Sequence, residues 1–195
     1  MILGPRDALI VADVQRDFLP GGSLAVAGSD EVVPVLNQYI RRALASRVHV
    51  FATRDWHPPG HCSFRERGGP WPPHCVQGTA GAEFPSELKL PEHVIVFSKG
   101  SDLERDAYSA FDGTSLDAAL GALDIRRLLI GGFAADYCVL QTVRDARSKG
   151  YSVLLLDDAV RGVDPVRSAA ARREMIALGA TAVTLESLSR SRESA

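Results

Sequence analysis

A carboxylate, an amine and a thiol, Asp13, Lys99 and Cys138, each stand beyond a short apolar run of β type, at 8–12, 94–97 and 128–130. A fourth run, 48–52, leads into Asp55 and His57. A carboxylate beside a lysine and a cysteine can take the thiol proton as the nucleophile forms and return it to a departing amine, the exchange that amide hydrolysis requires. Asp55 and His57 lie on the same side of an extended segment, and His74 follows in Trp71-Pro72-Pro73-His74-Cys75. An Asp/His/His set with open positions suits one divalent metal ion, zinc, iron or manganese, and leaves room for water and a ligand. His61, four residues past His57, is a candidate fourth ligand or an outer partner of the ligands.

Cys138 closes the stretch Gly131-Gly132-Phe133-Ala134-Ala135-Asp136-Tyr137-Cys138, between a buried strand and a helix that Asp136 can cap. A free thiol titrates at about 8.5, and a helix N-terminus or a nearby cation lowers that value. The expectation is therefore a low-pKa Cys138, with Lys99 as the cation and the backbone N–H groups of the same turn available to a developing oxyanion. Other readings stay open at this point. Cys138 can be an inert buried thiol, Asp13 a cap for the loop through Gly21 and Gly22, Lys99 a surface amine, and the histidines hydrogen-bonding partners of backbone groups. His49 and His93 read as structural or exposed.

Residues so distant in sequence meet only if the strands preceding them lie side by side, since ligands of an open parallel sheet bind beyond the carboxyl ends of its strands. The layout agrees, alternating strand and helix patterns as an α/β fold with a parallel sheet does. Helical spacing runs from Ser29 through Leu44, from Ser115 to Leu123, and from Asp136 to a stop at Gly150. Asp164-Pro165 opens a last helix that ends before Gly179, with further strands at 153–156 and 182–185. The segment from Trp56 to about Pro91 is rich in proline and glycine, and loops of that length inside a compact domain are often functional. One domain, 1–185, and a polar, serine-rich flexible tail, 186–195, account for the chain.

Composition narrows the partners. The 195 residues are 46% hydrophobic, enough for a substantial core, and a formal net charge of -2 offers no basic field for nucleic acid. No run approaches the roughly 18 apolar residues of a membrane span, and the chain enters a strand almost at once, so a cytoplasmic location is expected. The cysteines, Cys62, Cys75 and Cys138, are odd in number and contain no Cys-x-x-Cys, which disfavours both a disulfide framework and a redox role.

Taken together, Val11-Ala12-Asp13-Val14-Gln15-Arg16-Asp17-Phe18, Thr53-Arg54-Asp55-Trp56-His57-Pro58, Trp71-Pro72-Pro73-His74-Cys75-Val76-Gln77-Gly78-Thr79, Phe97-Ser98-Lys99-Gly100, Asp106-Ala107-Tyr108-Ser109-Ala110-Phe111 and the cysteine turn resemble one family. It is the nicotinamidase/pyrazinamidase branch of the isochorismatase-like cysteine hydrolases, and the resemblance runs from about Asp7 to Leu185. The Asp/Lys/Cys set marks the superfamily, and Asp-x-His with the downstream Trp-Pro-Pro-His marks the branch. The resemblance implies a three-layer α/β/α sandwich around a six-stranded parallel sheet, and hydrolysis of nicotinamide to nicotinate and ammonia in NAD salvage, with pyrazinamide as a surrogate substrate. It implies a thioester on Cys138, Asp13 as proton carrier, Lys99 holding their charges, and the N–H groups of Ala134 and Cys138 around the oxyanion. It places the metal of Asp55, His57 and His74 against the pyridine nitrogen, Phe18, Trp71, Tyr108 and Phe133 in the substrate pocket, and a cis peptide at Phe133-Ala134. Ala135 stands where threonine is common and Phe133 where a smaller aliphatic is frequent. Relatives are often oligomeric, which leaves a homo-oligomer open. The alternatives are a related hydrolase acting on another amide or a vinyl ether, and a non-catalytic metal- or protein-binding member of the fold.

Overall fold

The computed structural model describes residues 2–190. Strand β1 (Asp7–Ala12) is buried along its whole length, as a continuous apolar strand must be when helices cover both faces of a parallel sheet. It is flanked by β2 (His49–Asp55) and β4 (Arg127–Gly132), with β3 (Ile95–Lys99) beyond β2, and β5 (Ser152–Val160) and β6 (Thr181–Val183) beyond β4. The order is β3-β2-β1-β4-β5-β6, and every pair is parallel.

Because side chains alternate along a strand, β1 feeds two cores. Leu9 and Val11 pack with Val32, Leu36 and Ile40 of α1 (Ser29–Ala45) on one face. Ala8 and Ile10 pack on the other with Leu116 and Leu120 of α2 (Leu116–Ala122), Val143 and Ala146 of α3 (Leu140–Ser148), and Ala171 and Met175 of α4 (Pro165–Ala177). This is the three-layer α/β/α sandwich that the resemblance implied. The cap read at the start of α4 is present, Asp164 Oδ1 accepting from the Arg167 N–H at 2.7 Å with Pro165 in the first turn.

Two boundaries differ from the sequence reading. β5 continues past 156 because Val160 rejoins β4 opposite Gly132 after a register shift. β6 ends at Val183, and the stretch expected to begin a flexible tail instead forms α5 (Leu185–Arg190), with Leu188 buried in the α1-side core. The rest of that expected tail, 191–195, lies outside the described residues. No helix among the described residues is long and apolar enough to cross a membrane.

The chain builds outward from β1 through β2 to β3, then returns to the far side of β1 with β4, so strand order reverses between β1 and β4. At such a switch point the two outgoing loops diverge and leave a crevice. Gly132, at the end of β4, has φ +127°, and a Cβ there would lie 2.0 Å from the Ala12 carbonyl oxygen, so only glycine lets the two strands approach before they part. Segment 56–94 crosses beside this crevice. It carries single 3-10 turns at Arg65–Arg67 and Ala80–Ala82 and is tied to itself by bridges His57↔Val76 and Phe64↔Trp71.

Candidate active site

Lys99 is 1% exposed, which removes the surface-amine reading. It pairs in register with Asp55 across β2 and β3, and its ammonium donates to Asp55 Oδ1. The same nitrogen lies 3.0 Å from Asp13 Oδ2 and 3.4 Å from Cys138 Sγ. One buried cation thus joins three of the residues singled out from the sequence. Asp13 follows β1 with φ +51°, a conformation that aspartate tolerates better than most residues. Its Oδ1 accepts from Thr53 Oγ1 at 2.7 Å. Its Oδ2 has no hydrogen-bond partner of its own beside the Lys99 ammonium, which leaves that oxygen free to take a proton.

Electrostatics here run against the sequence expectation. Burial pushes the Cys138 thiol well above its ordinary range, Lys99 offsets only part of this, and the Asp55 and Asp13 carboxylates add to it. The resting group is a neutral thiol rather than the low-pKa thiolate expected from a helix N-terminus and a lysine. Burial likewise raises the Asp13 carboxyl, against the pull of Lys99, and so makes it a better proton acceptor once ionised. Burial opposes the charge on Lys99, but Asp13, Asp55 and Cys138 together hold its pKa well above the usual value. Burial also works to raise Asp55, and is outweighed by Lys99, His57 and His74, so Asp55 stays ionised below the ordinary carboxylate range.

Cys138 sits in a π-helical turn, Ala135–Val139, that precedes α3. The Phe133–Ala134 peptide is cis, as the resemblance implied. Among the described residues the Ala134 N–H has no hydrogen-bond acceptor. Asp136 does not cap its own helix. Its Oδ1 and Oδ2 accept from the N–H groups of Val163 and Asp164 at 2.9 and 3.1 Å, tying the cysteine turn to the entry of α4.

Asp55, His57 and His74 each offer one donor atom, all within 4.8 Å of one another. The Nδ1–H of His57 donates to the Gly100 carbonyl at 2.9 Å, and that of His74 to the Pro72 carbonyl at 2.9 Å. Each ring therefore keeps Nε2 as a lone-pair donor, the arrangement that orients imidazole ligands. Hydrogen bonding to backbone and readiness to bind a metal are thus both true of these residues, through different nitrogens. Burial lowers His57 to about 4, only partly opposed by Asp55, so its ring is neutral at physiological pH. Gly100 has φ +61°, and a Cβ on it would lie 2.5 Å from the His57 ring.

His61 is close, its ring centroid 4.2 Å from that of His57, but it is not in the Asp55/His57/His74 group. Its Nδ1 accepts from the Ser63 N–H at 3.3 Å, which places its proton on Nε2, directed at the Arg105 carbonyl at 3.2 Å. His61 instead forms a second group with His57 and Asp106, whose donor atoms also lie within 4.8 Å of one another, so it adjoins the Asp55/His57/His74 set through His57. A further group, Asp13, Asp55 and Cys138, surrounds the Lys99 ammonium, so its cation is already supplied.

Between the thiol and the donor set lies a narrow cavity of about 20 Å³. Phe18, Trp71 and Tyr108 line it as expected, with Ala134 and Cys138 on one side and Asp55 and His74 on the other. Phe133 does not line it. Its side chain is fully buried in the α1-side core, so its expected substrate contact is corrected to a packing role. Tyr137 takes a place in the wall that the sequence reading did not assign, its ring edge-on to Trp71 at 4.8 Å, while Trp71 Nε1 donates to Tyr108 Oη at 3.0 Å. Gln15 was also missed. Its amide accepts from the Asp55 N–H and donates to the Asp55 carbonyl, both at 2.7 Å, fixing the end of β2. Both residues stood in the quoted motifs, but nothing in their spacing told which way they point.

A doubly covered parallel sheet with a thiol, a carboxylate and a lysine at its switch point has the form of an α/β cysteine hydrolase. Residues 7–187 match the isochorismatase domain family, and the chain belongs to it. It is 40% identical over 204 residues to the nicotinamidase of Escherichia coli K12, covering 93% of this chain and 96% of that one. Its fold is similar to that of the Pyrococcus horikoshii pyrazinamidase solved in complex with zinc, with a TM-score of 0.90, 47% identity, and 93% and 100% of the two chains covered. It is also similar to PnC1 from L. infantum, solved in complex with nicotinate, with a TM-score of 0.88, 39% identity, and 96% and 97% of the two chains covered.

Proposed function

We propose that the chain is a cysteine amidohydrolase that converts nicotinamide and water to nicotinate and ammonia, with pyrazinamide as a second substrate, in NAD salvage. The observation that carries this is Lys99, one buried ammonium in contact with Asp13, Cys138 and Asp55. Through Asp55 it joins the thiol chemistry to the metal-type donor set across a single aromatic-walled cavity. The named activity of the E. coli relative, and the zinc and nicotinate of the two solved relatives, support the same reading.

The chemistry rests on proton positions. Asp13 takes the thiol proton as Cys138 Sγ forms its bond to the carboxamide carbon, so the thiolate exists only with its electrophile in place. Charge that develops on the amide oxygen is met by the N–H groups of Ala134 and Cys138. The Asp13 carboxyl gives its proton to the amide nitrogen, the C–N bond breaks, and ammonia leaves a thioester on Cys138. Asp13, ionised again, takes a proton from water as the hydroxyl adds to the thioester carbon. That proton returns to Cys138 as the C–S bond breaks, and nicotinate departs. Lys99 stays charged throughout and keeps the carboxylates and the forming thiolate from repelling one another.

Two imidazoles that each turn Nδ1 to a backbone carbonyl and leave Nε2 free, beside an ionised carboxylate, fit a divalent ion, and Asp55, His57 and His74 would hold it. When bound, that ion supplies a Lewis-acid contact for the ring nitrogen and so orients the ring. Phe18, Trp71 and Tyr108 offer flat apolar walls to the same ring.

The test is ammonia release from nicotinamide by the purified chain, beside C138A and a chelator-treated sample resupplied with zinc, iron or manganese. Activity in the wild type, its loss in both controls and recovery with metal are the expected results. No ammonia from the folded, metal-supplied chain would overturn the proposal.

A further inference from the structure

Asp17 lies in a 3-10 turn, Arg16–Phe18, that follows β1, and it is neither a member of the donor set nor part of the cavity wall. Its Oδ2 accepts from the Cys75 N–H at 2.7 Å, and its Oδ1 accepts from the Ser23 N–H at 3.2 Å. Cys75 has φ +47°, a left-handed conformation that non-glycine residues adopt only where their surroundings hold them. The other side of that residue is gripped as well, its carbonyl accepting from the His57 N–H at 3.0 Å. Cys75 is thus held between Asp17 and His57, and its immediate neighbour is His74. The same turn also presents Phe18 edge-on to the His74 ring at 5.8 Å.

The carboxylate itself has little room to move. A Cβ on Gly81 would lie 2.2 Å from Asp17 Oδ2. A loop glycine packed this closely against a carboxylate leaves that carboxylate one place to sit.

We infer that Asp17 is a positioning residue for the metal centre, fixing the strained backbone at Cys75 and through it the imidazole of His74 relative to His57. The inference rests on the metal reading of Asp55, His57 and His74. It explains why an acid stands four residues beyond Asp13, where the hydrolytic chemistry has no use for it. Outer groups that orient metal ligands typically change affinity about 10–100-fold when removed.

The experiment measures zinc affinity directly, by competition between the metal-stripped protein and a chromogenic chelator at low temperature. Wild type, D17A, D17N and G81A are compared, and metal-free thermal unfolding is recorded for each. D17A should bind zinc about 10–100-fold more weakly than wild type. D17N should fall between the two, since its amide keeps one acceptor oxygen but turns an NH2 group toward the second N–H. G81A should weaken binding by displacing the carboxylate while leaving Asp17 in the sequence, and it carries the test with D17N should D17A fail to fold. Wild-type affinity in the folded variants, with only the unfolding temperature lowered, would overturn the inference and leave Asp17 a structural residue. A wild type that takes up no zinc, iron or manganese would overturn the metal reading instead.

Discussion

The thiol centre and the metal-type donor set share Asp55 and one cavity, yet they are built in different ways. Asp13 and Lys99 stand at the ends of sheet strands and Cys138 in the turn that β4 feeds, so short lengths of backbone place each against the others. Of the donor set only Asp55 stands on a strand. His57 and His74 belong to the irregular 56–94 segment and depend on the Gly100 and Pro72 carbonyls and on the backbone at Cys75. The first centre is held by buried charge on a rigid frame, the second by loop geometry. Breaking the first should cost fold and chemistry together, and breaking the second should cost ligand affinity first.

The largest effect is expected from K99M. It removes the cation between the buried carboxylates of Asp13 and Asp55, and stripping one partner from a buried ion pair costs about 3–5 kcal/mol. Denaturant unfolding should show that loss alongside the absence of ammonia release. A K99M chain as stable as the wild type would mean that the charges are not coupled as described.

On the donor-set side, pH offers a comparison without mutation. His57 in the folded, metal-free chain takes its proton near 4, against 6.5 for an ordinary imidazole. Between those values the unfolded chain binds more protons, so stability must fall as pH drops from about 6.5 toward 4, by at most about 3 kcal/mol. Added metal should steepen the loss, because protons and metal compete for the same nitrogen. Unfolding curves across this range that do not move would contradict a buried neutral His57.

Smaller effects sharpen the outer parts of the comparison. H61A should weaken zinc binding by no more than about 10-fold, the low end for groups outside the ligand set, whereas a direct ligand would lose far more. F133L should lower stability by about 1 kcal/mol, as shape changes in a packed core do, and leave the KM for nicotinamide unchanged. A shifted KM with unchanged stability would return Phe133 to the pocket.

Legibility in the sequence divides along the same line. Asp13, Lys99 and Cys138 could be read as neighbours because apolar runs mark strands and a parallel sheet gathers the residues beyond its carboxyl ends. Asp55, His57 and His74 could be read as a donor set from residue type, but not which nitrogen each ring would present. That depends on carbonyls at Gly100 and Pro72 that no pattern announces. The direction of the Cys138 shift was misread because a helix N-terminus and a lysine argue for a thiolate only where water still reaches the sulfur. Full burial beside two carboxylates reverses the balance. Asp136 has the type and position of a cap, yet it reaches forward to Val163 and Asp164, a contact only the tertiary fold creates. Leu185 and Leu188 are too few apolar residues for a periodic pattern, and their helix is ordered by α1-side packing together with the Thr184–Ser187 cap and the Asp158 carboxylate that accepts from the Leu185 N–H.

The central claim is that Cys138 carries the acyl group between the departure of ammonia and the arrival of water. Mass spectrometry of protein mixed with nicotinamide and quenched in acid within the first turnovers tests it directly. The expected result is a nicotinoyl mass on the peptide containing Cys138 in the wild type and none in C138A or D13N. Ammonia release with no acyl group on Cys138, or continued turnover by C138A, would contradict it.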